Sequence, residues 1–399
     1  MAAPVKSVIL VWLGLLPQAL GASLLASHYT GDIYSLSFSN DGDEPTLTIT
    51  SSVPGCGTLP AWLHLDSPSQ TVYCIDEEWT GSGVLSSYTV GEDGALTQAG
   101  QIATNGSSVH GTPFGGDAGS GFVATVEYDP STLTTYELPL EEGATVLQQL
   151  KFEMAEPGPN DRQNAPHPHA AQVDPSGRYL IVPDLGADLI RIFSIDSATG
   201  NLTACAPGQA DPGDGPRHGV FWTPDGEPSK VQMLYTVNEL GNTVSAWTVS
   251  YPEDEDGDGC LRLDKTQTLA TYADGVGAAP NGSKAAEVHV AGNFLYAANR
   301  ADETFGARQD SIAAYSIDPA SGAIAWLEAA NAHAWFPRTF SINRAGDLVA
   351  VGGQTSSNVA IVARDPETGK LGELLADLPI ATPGTPQQED GLSAVVWLD

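Results

Sequence analysis

The sequence contains little positive charge. Only 16 of its 399 residues are lysine or arginine, against 49 aspartates and glutamates, which gives a formal net charge of −33. A surface with that charge repels nucleic acid and anionic lipid, so neither is an expected partner. The scarcity also makes each arginine at a repeated position informative.

Long apolar runs are absent after residue 22, so no later segment is expected to span a bilayer. Residues 1–22 differ, because Lys6 precedes an apolar core over Val8–Leu16 and small residues follow at 19–22. This pattern is typical of a secretory signal peptide, with an uncleaved amino-terminal anchor as the alternative. We therefore expect a secreted protein, extracellular or in the cell wall, whose mature domain covers residues 23–399. Loss of Lys6 would bring its charge to −34.

The chain has only four cysteines, and a secreted protein is expected to pair them. Of the three possible pairings, Cys56 with Cys74 and Cys205 with Cys260 is the most local. Neither spacing suggests a zinc site. Three sequons in turn-rich loops are candidate glycosylation sites, at Asn105, Asn201 and Asn281.

Helical periodicity is also missing, and the apolar runs are short, β-branched or aromatic, and bounded by turn residues. One pattern recurs six times. A short turn signal is followed by an apolar run, then by a turn of Asp, Pro, Asn or Gly, and then by a second apolar run that ends in a polar residue. The copies start near Pro60, Val109, Pro168, Pro216, Glu287 and Pro337. Starts about 50 to 70 residues apart indicate the four-stranded blades of an all-β propeller.

The register of the copies predicts two rings of polar residues at one mouth of the central channel. The ends of the second apolar runs superpose Asp184, Glu239, Arg300 and Gln354, with Asp76 or Glu77 and Tyr128 in earlier copies. The starts superpose His110, His169, Arg217 or His218, His289 and Arg338, with Arg217 favoured over its neighbour.

Structural roles compete with functional ones at several of these positions. Asp184 and Asp188 fit turn residues that accept backbone hydrogen bonds. Glu239 and Arg300 could form a salt bridge with each other. His169 fits either an acid or base or a hydrogen-bonded core histidine. His167 and His169 lack the third ligand that a metal site would need.

An acidic segment begins like a calcium loop, with Asp254, Asp256 and Asp258. Lys265 stands where an EF-hand requires glutamate, so we interpret the segment as a solvated hairpin tip, with calcium as the alternative. No Gly-x-Ser-x-Gly elbow, phosphate loop or dinucleotide fingerprint occurs, which disfavours serine-hydrolase and nucleotide chemistry.

Several motifs together resemble the seven-bladed lactonase family, which joins bacterial propeller-type 6-phosphogluconolactonases and fungal 3-carboxy-cis,cis-muconate cyclases. They are Pro168-His169, Val182–Asp188, Gly215-Pro-Arg-His218, Val237–Val244, Ala298-Asn-Arg300 and Asp365–Leu371. The resemblance implies a seventh blade, closed by Leu392–Leu398 pairing with early strands such as Asp32–Phe38 and Thr46–Thr50.

The resemblance also implies roles. The catalytic residues of the cyclase correspond to His169, Arg217, Glu239 and Arg300. His218, His289, Arg338, Asp184 and Gln354 are then expected to bind substrate. In this interpretation two arginines clamp carboxylates, and His169, or Glu239 with a raised pKa, moves a proton, so no metal or organic cofactor is expected.

Together with the secretory pattern, the resemblance implies a secreted, cofactor-free cycloisomerase that forms a lactone from a carboxylated small molecule. The first alternative is a 6-phosphogluconolactonase-like lactone hydrolase. The second is a non-catalytic acidic glycoprotein that binds proteins or a cell surface.

Overall fold

Short apolar runs bounded by turn residues form strands along the whole chain. The computed structural model describes residues 21–42, 44–140, 144–224, 231–252, 259–272 and 278–399. Their regular elements are β-strands, which form seven antiparallel sheets. The expected all-β, seven-bladed propeller is confirmed. None of the described segments is a helix with the length and apolarity required to cross a membrane.

Each blade contains at least four strands, numbered here in chain order. Blade 1 contains β1 (Ala22–His28), β2 (Asp32–Ser39) and β3 (Thr46–Pro54). Blade 2 contains β4 (Pro60–Asp66), β5 (Thr71–Asp76), β6 (Val84–Val90) and β7 (Leu96–Ala103). Blade 3 contains β8 (Ser108–Phe114), β9 (Phe122–Glu127), β10 (Thr132–Glu137) and β11 (Gln148–Lys151). Blade 4 contains β12 (Gln172–Val173), β13 (Tyr179–Asp184), β14 (Leu189–Ile195), β15 (Leu202–Ala204) and β16 (Gly208–Gln209).

The remaining blades follow the same plan. Blade 5 contains β17 (Pro216–Trp222), β18 (Met233–Asn238), β19 (Thr243–Ser250) and β20 (Arg262–Ala270). Blade 6 contains β21 (Lys284–Ala291), β22 (Phe294–Arg300), β23 (Ser311–Ile317) and β24 (Ile324–Asn331). Blade 7 contains β25 (Pro337–Ile342), β26 (Leu348–Gly353), β27 (Asn358–Arg364) and β28 (Leu371–Pro379). The last strand, β29 (Leu392–Trp397), joins blade 1.

Pairing between the two ends of the chain closes the ring. β29 is the inner strand of blade 1 and pairs directly with β1. We expected this strand to pair with the segments that form β2 and β3, but these continue the sheet outward from β1. Closure therefore comes from one blade that contains strands from both ends of the chain.

The core lies between neighbouring blades rather than at one centre. Between blades 5 and 6, for example, Tyr235 and Val244 pack with Leu295 and Tyr315, and all four are buried. Burying one such side chain stabilises the fold by about 1.5–3 kcal/mol. Because each blade packs against a neighbouring blade on both of its faces, the inner strands are held at fixed positions around the channel.

The inner strands carry β-bulges near their starts. Bulges occur in β4, β8, β17 and β25, where one residue falls out of the pairing register, and a two-residue shift occurs in β21. The single bulged residues are Ala61, Val109, Arg217 and Arg338. Because a bulge redirects a side chain, it gives these positions a different orientation from the rest of the strand.

The four cysteines form two disulfides, with the most local of the three pairings. Cys56 is bonded to Cys74, and Cys205 to Cys260. The second bridge links the segment after β15 in blade 4 to the segment before β20 in blade 5. It therefore ties two neighbouring blades together.

Candidate active site

A cavity of about 210 Å³ lies where the second strands of the blades end. The structure brings five residues of the first predicted ring to its wall: Glu77, Tyr128, Glu239, Arg300 and Gln354. Each ends, or directly follows, the second strand of its blade. From the second predicted ring, His169 and Arg338 line the same cavity. Residues distant in sequence thus share one enclosed space.

Glu239 is the centre of the site, because three arginines surround its carboxylate. Oε2 lies 3.0 Å from Nε of Arg217 and 3.0 Å from Nη2 of Arg300, and Oε1 lies 2.5 Å from Nη1 of Arg162. Glu239 is only 2% exposed. Burial alone would raise its pKa, but Arg300, Arg162 and Arg217 together hold the pKa well below its ordinary value. The carboxylate is therefore ionised, and the option of Glu239 as a proton donor with a raised pKa is wrong.

The backbone just before β17 forms a hydrogen bond with the backbone of Glu239. Gly215 has φ +60 and its carbonyl accepts the Glu239 N–H at 2.8 Å. A Cβ at this position would stand 2.5 Å from Cγ of Leu240. Glycine is therefore required where the chain turns into the Pro-Arg-His segment.

Arg217 lies beneath the cavity rather than on its wall. The bulge in β17 places it beside Glu239, and its Nη1 donates to the carbonyl of Ala286 at 2.8 Å. Its Nε forms an ion pair with Glu239 without being aligned as a hydrogen bond. Burial, Arg300 and Arg338 lower its pKa to about 9. In this arrangement Arg217 supports Glu239, and its guanidinium is not part of the cavity wall.

His169 is a titratable residue on the cavity wall that forms no ion pair with another described residue. Its Nδ1 is buried without a hydrogen-bond partner in the described part of the chain. Burial, followed by Arg217 and His218, holds its pKa well below the ordinary value. The ring is therefore neutral at physiological pH. An uncharged imidazole on a cavity wall can accept a proton.

Arg338 and Lys284 supply further positive charge. Nη2 of Arg338 lies 3.2 Å from Oε2 of Glu77, whose carboxylate also accepts a hydrogen bond from the Tyr29 hydroxyl at 2.5 Å. Lys284 opens β21 and lines the cavity without an ion pair to any described carboxylate. Burial and the nearby Arg300 lower its pKa. An ammonium group with these surroundings favours an incoming anion.

Asp184 does not belong to the cavity, and its predicted substrate-binding role is not supported. Its carboxylate accepts the N–H of His167 at 2.7 Å and of Ala187 at 3.1 Å, and pairs with Nε of Arg191 at 2.8 Å. The carboxylate is thus used in the turn after β13. Asp188 also binds backbone, accepting N–H groups of Gly213 and Gly215. Both aspartates have the turn role that competed with a functional one.

The remaining predicted histidines lie away from the cavity wall. His110 stacks on Trp62 at 4.3 Å between ring centroids. His218 is buried and its Nδ1 lies 3.1 Å from both oxygens of Glu287, while His289 lies 3.7 Å from the same carboxylate. The expected direct contact of His218 and His289 with substrate is therefore not supported. His167 stacks on Tyr128 and is a structural neighbour of the site.

Sequence analysis missed Arg162, Trp79, Lys284 and the segment 387–389, all of which line the cavity. Arg162 lies between β11 and β12, where no repeat register applies. The one available signal was the rarity of arginine in this chain. Lys284 could have been found as the residue that opens a first strand.

The sequence offered two possible metal sites as alternatives, the pair His167 and His169 and the acidic segment 254–258. Among the described residues, no group of three or more histidine, cysteine, aspartate or glutamate side chains could hold a metal ion. The calcium-loop candidates Asp254, Asp256 and Asp258 lie outside the described residues.

Comparisons with known proteins agree with the seven-bladed fold. The family described as lactonase, 7-bladed β-propeller, matches residues 23–387. A protein of Arthroderma benhamiae named "probable 6-phosphogluconolactonase" is 34% identical over 339 residues, which cover 82% of this chain and 79% of that protein. The 6-phosphogluconolactonase of Bacillus subtilis is 26% identical over 317 residues, covering 78% and 82% of the two chains.

Solved structures share the fold. The periplasmic gluconolactonase PpgL of Pseudomonas aeruginosa superposes with a TM-score of 0.74 and 24% identity, covering 91% of this chain and 98% of that one. A protein of Lactobacillus plantarum gives a TM-score of 0.76 at 20% identity, covering 95% and 100%. The family match over residues 23–387, together with the 34% identical relative, shows that the chain belongs to the seven-bladed β-propeller lactonase family.

Proposed function

We propose that the protein hydrolyses the ring of an anionic sugar lactone such as the lactone of 6-phosphogluconate. The observation that carries this proposal is the pairing of a neutral His169 with an arginine-rich wall in one cavity. The names of the relatives described above point to the same chemistry.

The reaction joins water to the lactone carbonyl carbon and breaks the bond from that carbon to the ring oxygen. His169 takes a proton from the attacking water and later returns it to the ring oxygen. Such a proton transfer typically contributes about 10²- to 10⁴-fold in rate. One water is consumed, and the product is the open hydroxy acid.

Arg300 would stabilise the negative charge that develops on the carbonyl oxygen, because its guanidinium lines the cavity. Glu239 holds that guanidinium in place at 3.0 Å, and the surrounding arginines keep the pKa of Glu239 too low for it to act as the base. Lys284 and Arg338 would bind the anionic substituent of the substrate. The positive charge of these side chains attracts an anionic substrate to the cavity, although the protein as a whole is strongly acidic.

Cycloisomerisation, which the sequence analysis placed first, uses cations in a similar way. The relatives described above are named as lactone hydrolases, and this supports the first alternative, a 6-phosphogluconolactonase-like lactone hydrolase. The cyclase interpretation stays a prediction that the same assay can test.

Secretion is part of the proposal. Two disulfides support it, because such bonds persist in oxidising compartments. The sequon residues Asn105, Asn201 and Asn281 are all exposed, as carriers of a glycan must be. Residues 1–20 lie outside the described residues, so the signal peptide stays a sequence prediction.

The test incubates purified protein with 6-phosphogluconolactone, gluconolactone and 3-carboxy-cis,cis-muconate. Proton release follows lactone opening, and absorbance follows loss of the muconate diene. We expect hydrolysis of the phosphorylated lactone above its spontaneous rate, and a His169→Ala variant slower by about 10²- to 10⁴-fold. Arg344→Ala, an exposed arginine outside the cavity, is the matched control. Muconate turnover without lactone hydrolysis would favour the cyclase, and inactivity on all three would favour the non-catalytic alternative.

A further inference from the structure

We infer that His218 and Glu287 are positioning residues that orient Arg217, and through it Glu239, for the reaction in the cavity. This inference rests on the proposed function, although one of its tests does not depend on turnover. Neither residue lines the cavity. They act from one layer deeper in the channel.

A continuous chain of polar contacts leads from Glu287 to Glu239. Nδ1 of His218 lies 3.1 Å from each carboxylate oxygen of Glu287, and Nε2 of His218 lies 3.2 Å from Nη1 of Arg217. Arg217 then reaches Oε2 of Glu239 at 3.0 Å through its Nε. The four residues are each at most 3% exposed, so water cannot replace any of these contacts cheaply.

The chemistry of arginine determines the tautomer of His218. A guanidinium has only donors, so Nε2 of His218 must present its lone pair to Nη1 of Arg217. The neutral imidazole then carries its proton on Nδ1 and donates it to Glu287. Burial, with Arg217 and Arg338, holds the pKa of His218 well below its ordinary value, which keeps the ring neutral.

Glu287 supports the same tautomer from the other side of the ring, because an ionised carboxylate only accepts and so requires the proton on Nδ1. It is anchored by the Val288 N–H, which donates to Oε1 at 3.1 Å. If the carboxylate were replaced by an amide, Nδ1 could accept from the amide nitrogen, and the proton could move to Nε2. That proton would point at Nη1 of Arg217, and the two donors would repel each other.

Displacement of Arg217 would change the position of Glu239 in the proposed active site. Arg217 is one of the three arginines that hold Glu239, and the His169 ring lies 5.2 Å from the His218 ring, measured between centroids. The backbone alone does not fix the guanidinium, because Ala286 supplies one carbonyl to Nη1. The His218 lone pair is the second acceptor for that nitrogen.

Two amide replacements of His218 separate positioning from general structural support. In His218→Gln, the amide oxygen can accept from Arg217 near the place of Nε2 without help from Glu287. In His218→Asn, the shorter amide reaches toward Glu287 and leaves Arg217 without its acceptor. We expect His218→Gln to keep kcat within about threefold and His218→Asn to lose about 10- to 100-fold, with KM little changed.

The second pair of variants tests the role of Glu287. Glu287→Gln should lose about 10- to 100-fold in kcat, and adding His218→Gln to it should restore most of that loss, because the acceptor no longer depends on a tautomer. Losses that add in the double variant would overturn the inference. The matched control is His64→Gln, a channel histidine without a hydrogen bond to arginine in the described structure.

Nitrogen-15 spectra of histidine-labelled protein provide a readout without substrate. The wild-type His218 signals should show a protonated Nδ1 and a bare Nε2, and Glu287→Gln should change that ratio. A wild-type His218 protonated on Nε2 would overturn the inference even in an inactive protein. Absence of lactone hydrolysis with the expected tautomer would instead count against the proposed function.

Discussion

Arg162 and Glu239 meet at the mouth of the cavity, with Nη1 of the arginine 2.5 Å from Oε1 of the carboxylate. The arginine side chain is 37% exposed, whereas that of Glu239 is 3% exposed. Nη2 of Arg162 also donates to the Tyr128 hydroxyl at 3.0 Å. The loop before β12 thus contributes a solvent-facing cation to a carboxylate that two buried arginines already hold.

This arrangement predicts that Arg162 affects substrate capture more than turnover. In Arg162→Met, Arg217 and Arg300 still hold Glu239, so we expect kcat to fall by less than about threefold and KM for the phosphorylated lactone to rise about tenfold. Steady-state kinetics measure both. Arg344→Met controls for loss of surface charge. A large fall in kcat with constant KM would show instead that Arg162 acts in the transition state.

Lys284 predicts selectivity between lactones. Because no described carboxylate pairs with it, its charge is available to a phosphate or carboxylate of the substrate. Lys284→Met should raise KM for 6-phosphogluconolactone by about tenfold, which corresponds to about 1.4 kcal/mol of binding free energy. Hydrolysis of gluconolactone should be nearly unchanged, because that substrate has no phosphate. Lys284→Arg keeps the charge and should retain the preference. Equal effects on both substrates would contradict this role.

Glu239 predicts a link between stability and anion binding. Glu239→Gln leaves Arg162, Arg217 and Arg300 without their shared counter-charge, and removing one partner of a buried ion pair destabilises a fold by about 3–5 kcal/mol. We therefore expect a lower Tm than in the matched surface variant Glu367→Gln. Added phosphate should recover part of the lost stability by binding near the three arginines in place of the missing carboxylate. The phosphate-induced rise in Tm should therefore be larger in Glu239→Gln than in the wild type. An equal rise in both proteins would refute this interpretation.

The repeat register located much of the cavity, because strand ends at equal positions in successive blades meet at one mouth. Glu239 and Arg300 lie at such ends, and both line the cavity. Asp184 has the same register but is not part of it, because Arg191 and two turn N–H groups use its carboxylate locally. The repeat register predicts the backbone position of a residue in the blade, but it does not predict which neighbouring groups its side chain contacts.

Other parts of the structure depend on contacts that no register records. Arg217 and His218 competed for one place in the sequence, and the bulge in β17 gives each a separate direction. Arg162 comes from a long connection, whose path depends on packing against residues far away in the chain. Strand β1 directly follows the apolar amino-terminal stretch of the sequence and lacks the turn pattern of the other copies, so it was missed although the closure of the ring was expected.

Glu127 predicts a pH-dependent stability outside the cavity. Its carboxylate is fully buried in blade 3, and hydroxyls of Thr125, Thr132 and Thr134 donate to it at 2.5–2.8 Å. Burial raises its pKa to about 7, and the three hydroxyls only partly oppose that shift. In the unfolded chain the pKa returns to about 4.5, so the native state binds more protons between these values.

The sign of the effect follows from this difference. Stability from Glu127 is fully present below about pH 4.5 and is lost as the pH rises through about 7, by an amount of about 3 kcal/mol. Glu127→Gln cannot ionise, so its free energy of unfolding relative to wild type should increase from pH 5 to pH 8 and then level off. Urea denaturation at several pH values measures this difference, with the exposed Glu137→Gln as control. A difference independent of pH would mean that Glu127 keeps one protonation state in the folded and unfolded chains.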